Sequence, residues 1–112
     1  IKKEVAMPHL KISGISKEKI IDFSSNLTNI ISNISNTSID YIKVFYNPIE
    51  YISGKEKNII IAEIYWMPRP QEICDKLAME ITNFFKTKGY DFIQVNYSEF
   101  PGNLFYENGT HY

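Results

Sequence analysis

The chain changes hydrophobic rhythm several times between the two-residue period of a strand and the 3.6-residue period of a helix. His9-Leu10-Lys11-Ile12 alternates and Gly14 ends the alternation, which predicts a strand over residues 8–13. Ser16 then stands where a helix N-cap belongs, with Glu18 in the first turn. Ile20, Phe23, Leu27, Ile30, Ile31 and Ile34 recur at helical spacing, so a helix is expected over about 17–34. Residues 33–38 form a polar turn cluster. Tyr41 to Tyr46 is β-branched and aromatic, a second strand stopped by Asn47-Pro48. The charged stretch Glu50 to Asn58, with Ser53-Gly54 inside it, reads as an exposed loop with room for a short hairpin arm.

The second half repeats the order. Asn58 to Trp66 is a strand with little alternation, expected to be central and covered on both faces. Met67-Pro68-Arg69-Pro70 is a stiff turn, with Pro70 suited to the first helical position and Glu72 to the first turn. Ile73, Leu77, Ala78, Ile81, Phe84 and Phe85 form the apolar stripe of a second helix, closed by Lys86, Lys88 and an αL stop at Gly89. Phe92 to Tyr97 is a fourth strand, and Pro101-Gly102 turns the chain into an apolar, aromatic tail. Strand–helix–strand occurs twice, an α+β arrangement. The tail is too apolar to stand in water and is expected to be covered by a neighbouring subunit.

Composition narrows the classes. With 112 residues, 44% of them apolar, the chain is one domain able to build its own core. Twelve basic against 13 acidic residues leave a net charge of −1, no global field for nucleic acid or an anionic membrane. Cys74 is the single cysteine, so no intramolecular disulfide and no multi-cysteine metal site can form. His9, His111 and the carboxylates show no metal-ligand spacing, and no phosphate-binding glycine loop or nucleophile elbow occurs; neither metal nor cofactor is expected. No run reaches the ~18–20 apolar residues of a membrane span, and the N-terminus has no secretory apolar stretch. Asn-X-Ser/Thr triplets at Asn26, Asn33, Asn36, Asn96 and Asn108 are the chance yield of an Asn-rich chain, so the expected location is the cytoplasm, with Cys74 a packed, reduced thiol.

Met7-Pro8 directly before the first strand, the two strand–helix–strand units, Asn96-Tyr97 on the last main strand and the turn Asn108-Gly109-Thr110 together resemble the tautomerase superfamily, in its macrophage migration inhibitory factor branch. Trp66-Met67-Pro68-Arg69 and the closing Gly109-Thr110-His111-Tyr112 look closer to an uncharacterised bacterial family of tautomerase-like proteins. The resemblance implies a four-stranded mixed sheet with two helices on one face, assembled as a homotrimer. A ferredoxin-like sandwich has the same element order, and periodicity does not separate the two. The resemblance also implies a catalytic proline: the initiator methionine is lost, and the exposed Pro8 amine is the general base of a cofactor-free tautomerase or isomerase acting on a small carbonyl or enol acid. The alternative is a non-catalytic, oligomeric small-molecule-binding module.

In this chain six residues precede Met7, and an amidated proline nitrogen has no lone pair to offer a proton. Lys3-Glu4-Val5 can be encoded by a purine-rich ribosome-binding sequence one codon short of Met7, so residues 1–6 are expected to be a leader and residues 7–112 the domain.

Enolate chemistry needs a positive or hydrogen-bonding partner, and superfamily substrates usually carry a carboxylate. Arg69, the sole arginine, lies between two prolines before the second helix and is the candidate clamp, within reach of a Pro8 pocket at a subunit boundary; a surface or inter-subunit ion pair is the other reading. Asn96 and Tyr97 are candidate donors to an enolate oxygen. Glu63 interrupts the most apolar strand and is expected to pair with a lysine, His9 or Arg69, or to be protonated. Lys11 is a substitute anion binder or a solvated strand residue, and Trp66 a pocket wall or a core residue. Asn36-Thr37 stands where the migration-inhibitory branch carries a lysine, and Gln94 where it carries a tyrosine.

Overall fold

The computed structural model describes residues 8–55 and 58–112. The proposed leader lies outside the described residues. Strand β1 (His9–Ser13) leads through α1 (Lys17–Ser35) to β2 (Lys43–Asn47); β3 (Ile59–Trp66) leads through α2 (Gln71–Thr87) to β4 (Phe92–Glu99). A small hairpin, β5 (Tyr106–Glu107) and β6 (Thr110–His111), follows.

The sheet order is β2-β1-β3-β4. Strands β1 and β2 are adjacent and parallel, as are β3 and β4, while β1 and β3 run antiparallel. Each helix therefore bridges two neighbouring parallel strands. That separates the fold from the ferredoxin-like alternative, whose β-α-β units are split by an intervening strand. The chain is α+β, with a mixed four-stranded sheet and two helices on one face. Leu10, Ile12, Ile60, Ala62, Ile64 and Trp66 point from the two central strands into a core completed by Ile20, Leu27 and Ile31 of α1 and Leu77, Ile81 and Phe85 of α2.

Local signals account for most boundaries. Ser16 caps α1, its hydroxyl accepting from the Lys19 N–H at 3.3 Å. Pro70 sits just outside α2 rather than inside it: with ψ of 144° it is the N-cap, and its carbonyl accepts from Ile73 and Cys74. Strand β2 begins later than the β-branched run predicts, because Ser38 accepts from the Asp40 N–H and winds residues 39–41 into a 3-10 turn. No hairpin arm forms in the described part of residues 50–58.

Burial along β3 alternates strictly. Its even-numbered residues are buried beneath the helices, whereas Ile59, Ile61, Glu63 and Tyr65 are only half covered. The expectation of two covered faces fails within one chain, since both helices pack on the same side. The aromatic tail is likewise covered in part by its own chain. Phe100 stacks on Tyr65 with ring centroids 6.3 Å apart, Phe105 packs on Phe100, and Tyr112 on Phe105, while Leu104 and Tyr106 stay exposed.

Gly14 permits the turn from β1 to α1. Its φ is +96°, and a Cβ there would fall on the Ile59 carbonyl. Gly89 has the same φ with open space around it. Gly89→Ala should therefore cost about 1 kcal/mol of backbone strain, and Gly14→Ala at least about 2 kcal/mol, since the neighbouring strand must also move. Urea unfolding of both variants reads the difference; equal losses would contradict it.

Candidate active site

Pro8 ends the sheet at the start of β1. Its ring is fully buried, and its carbonyl accepts from the Lys43 N–H at 3.5 Å, tying it to the first residue of β2. Continuing the β1–β3 register by one residue sets Pro8 opposite Trp66, the last residue of β3. The Arg69 guanidinium lies on the Trp66 ring, 4.5 Å from a ring centroid, and donates through Nη1 to the carbonyls of Pro68 (3.1 Å) and Met67 (3.5 Å). The stiff Met67-Pro68-Arg69-Pro70 turn returns the arginine over the strand it has just left. Burial lowers the Arg69 pKa, a cost of desolvation set against a nearby thiol, Cys74. Among the described residues Arg69 makes no ion pair with a carboxylate. The sheet register, the stack and the turn thus bring Pro8, Trp66 and Arg69 to one end of the sheet.

Other candidates lie elsewhere. Lys11 and Glu63 are cross-strand partners on the open face, 3.6 Å apart, and Asn96 is next in register on β4. The Lys11 ammonium also sits 5.3 Å from the Tyr65 ring centroid. Its hydrogen bond with Tyr65, followed by the charge of Glu63, raises its pKa against the desolvation that lowers it. Glu63 has the lysine partner that its position in an apolar strand called for.

Tyr97 points the opposite way from Asn96, toward α2, and donates to the Cys74 carbonyl at 2.8 Å. Burial raises the Tyr97 pKa far above its ordinary value, with Cys74 and Asp75 adding to it. Burial likewise raises the Cys74 thiol, as expected of a packed cysteine. Asn96 and Tyr97 of one chain therefore do not address the same ligand.

The fold also builds a feature absent from the list of candidates. His9, Lys11, Phe45, Tyr65, Phe100, Phe105 and Tyr106 line a cleft of about 370 Å³ on the open face, beside the Pro8 end of β1. The period-two faces of β1, β2 and β3 put His9, Phe45 and Tyr65 together, but the remaining wall comes from the folded-back tail. His9 packs edge-on against Phe45 at 5.6 Å, and its Nδ1 is buried without a partner. Trp66 Nε1 is in the same position, and these are the only two such side-chain atoms among the described residues. Native proteins leave few polar groups in this state, and here both belong to residues flanking Pro8, one next in sequence and one across the sheet.

Burial lowers the His9 pKa from its ordinary 6.5, Lys43 adds to the lowering, and Glu107 opposes it. The unfolded chain then takes up this proton before the folded one, so the contribution to stability is complete above pH ~6.5 and is lost as pH falls through the folded pKa. His9→Gln should flatten the acid side of a melting-temperature profile between pH 7 and 5. An unchanged slope would contradict the assignment.

Among the described residues no helix is long and apolar enough to cross a membrane, and no group of three metal-ligating side chains converges. Several solved structures share the fold. One from Sebaldella termitidis, described as a domain of unknown function (DUF1904), is 28% identical over 95% of this chain and 100% of its own, with a TM-score of 0.83. The macrophage migration inhibitory factor-like protein of Entamoeba histolytica is 18% identical over 95% of this chain and 99% of its own, with a TM-score of 0.77. A member of the cis-3-chloroacrylic acid dehalogenase family is 17% identical over 92% of this chain and 82% of its own, with a TM-score of 0.73. No curated protein matches the chain. The fold is thus that of the tautomerase-like proteins, and the sequence itself matches one family over residues 7–111: the chain belongs to the domain-of-unknown-function family DUF1904.

Proposed function

We propose that the protein is a cofactor-independent tautomerase of small, carboxylate-bearing carbonyl or enol compounds, with Pro8 as general base once it is the mature N-terminal residue. The observation that carries this reading is the arrangement at the end of β1: a buried proline opposite an indole whose N–H is buried without a partner among the described residues and on whose ring the sole arginine lies. The named fold neighbours add weight, one being similar to migration inhibitory factor and another to a dehalogenase of a small unsaturated acid.

The chemistry needs few parts. A free proline amine takes the proton from the carbon beside a carbonyl. The C–H electron pair forms the carbon–carbon double bond, and the carbonyl π pair moves to oxygen, which takes the proton from the ring ammonium to give the enol and regenerate the amine. In reverse, the amine takes the enol proton and the ring ammonium returns it to carbon. An α-amine titrates near about 7.7–8.0 in water, and apolar burial favours its neutral, basic form. Arg69, bonded among the described residues only to the carbonyls of Met67 and Pro68, has donors left to hold a carboxylate.

The reading requires that synthesis start at Met7, so that residues 1–6 correspond to untranslated leader, and that Met7 be removed. It also carries a homotrimer located in the cytoplasm. Among the described residues, both edge strands, β2 and β4, are unpaired on their outer sides. Phe45, Tyr46, Ile49, Ile52 and Phe92 are exposed, and the open face of β3 is half covered. A neighbouring copy that pairs with these edges offers its own Asn96 to a Pro8 site, whereas its Tyr97 hydroxyl already donates to the Cys74 carbonyl. Light scattering should give three times the 13.1 kDa chain mass; a monomeric mass would contradict the trimer. With Ile1–Met7 retained, the amidated Pro8 favours the second reading, a binding module without catalysis. Activity assays of the extended and shortened chains decide between the two.

A further inference from the structure

We infer that the Trp66 indole N–H is a ligand-binding donor of the Pro8 site, reading a carbonyl or enol oxygen adjacent to the carboxylate that Arg69 holds. The inference rests on the proposed use of that site and adds a residue and a ligand geometry to it.

Trp66 is 1% exposed and belongs to the main core, yet its Nε1 has no hydrogen-bond partner among the described residues. An indole N–H only donates, so the site leaves its one polar function unmet. A phenylalanine would fill a core position at the end of β3 without that penalty, so packing alone does not explain the nitrogen. The ring's other relations are specific. Arg69 lies on its face, Pro8 at the start of β1 stands opposite it when the β1–β3 register is continued by one residue, and Glu99 follows in register on β4. The arginine is only half buried and is held by two carbonyls of its own turn, the longer bond being 3.5 Å. When the guanidinium turns from these acceptors to a carboxylate at the rim of the ring, an oxygen on the neighbouring carbon is set toward the in-plane Nε1–H, which an arginine on the ring face leaves uncovered. A fixed arginine–indole pair therefore selects acids whose carboxylate is flanked by a second acceptor, over simple carboxylates of the same size.

Trp66 is the only tryptophan, so its indole N–H gives a single resonance in an 15N-correlated proton spectrum. Pyruvate and propionate are suitable probes, alike in size and carboxylate but differing in the 2-oxo group. The measurement is made on the full chain and on the chain beginning at Pro8. Pyruvate should shift the indole resonance in at least one form, and propionate should leave it in place. Trp66→Phe should weaken pyruvate about tenfold, leave propionate binding unchanged, and leave the unliganded protein's melting temperature the same or higher. Arg69→Gln should weaken both probes. If both probes bind and Arg69→Gln weakens them, but the indole resonance ignores pyruvate or Trp66→Phe weakens both alike, the indole assignment fails and the Pro8 reading stands. If neither probe binds either form, both fail. The resonance of the unsubstituted protein decides the matter even where Trp66→Phe does not fold.

Discussion

Shortened to begin at Pro8, the protein should ketonise phenylpyruvate enol at least about a hundredfold faster than the chain carrying Ile1–Met7. The difference lies in one electron pair. In the extended chain the Pro8 nitrogen is an amide and accepts no proton; in the shortened chain it is a secondary amine held in a ring that is fully buried. Activity should rise with pH as that amine loses its proton, and burial, which disfavours the ammonium, should move that rise to lower pH than for an exposed α-amine. Pro8→Ala retains an α-amine, but a primary and less constrained one, so activity should fall without vanishing. The fold should be indifferent to the change: residues 1–6 include two lysines and a glutamate, and their loss should alter stability by no more than about 1 kcal/mol. Equal rates in all three proteins, or none in any of them across a panel of enols, would put the binding-module reading ahead.

Replacing Arg69 should separate binding from chemistry. Arg69→Gln removes the charge that holds the substrate carboxylate in ground state and transition state alike, so KM should rise by about 10- to 100-fold while kcat changes far less. Arg69→Lys should rescue only part of this, since an ammonium neither stacks flat on Trp66 nor offers a paired fork of donors. The cost to folding should be small, about 1 kcal/mol or less, because the stack on Trp66 is partly solvated. Steady-state kinetics on a carboxylate-bearing enol and on its methyl ester checks the assignment. The ester should be a poor substrate for the unsubstituted protein and insensitive to Arg69→Gln; an ester that suffers as much as the acid would show that Arg69 supports the fold rather than the carboxylate.

Much of the architecture was legible because it rests on local chemistry. Ser16 caps, Gly14 and Gly89 adopt positive φ, and the apolar stripes of α1 and α2 face the core, with Ile20, Leu27, Ile31, Leu77, Ile81 and Phe85 buried and the other stripe residues partly covered. Strand order was not legible, since nothing in a strand's own period says which neighbour it pairs with. The reading of β3 as covered on both faces took apolar content for burial; strict alternation in the fold shows that only one face meets the helices.

The site was legible unevenly. The Lys11–Glu63 pair follows from opposite charges on adjoining strands, once their register is known. The separation of Asn96 from Tyr97 was available beforehand, because successive strand residues point to opposite faces. The stack of Arg69 on Trp66 was not, for it depends on how a double-proline turn folds back. Nor was the aromatic cleft, whose far wall is a tail that returns across the sheet.

The most direct test of the proline mechanism is the intact mass of the protein isolated from its native host, expressed from its own gene. The proline mechanism predicts a chain that begins at Pro8, with Met7 removed and the amine free. A mass that retains Ile1–Met7 would contradict it, because that Pro8 nitrogen has no lone pair with which to take a proton.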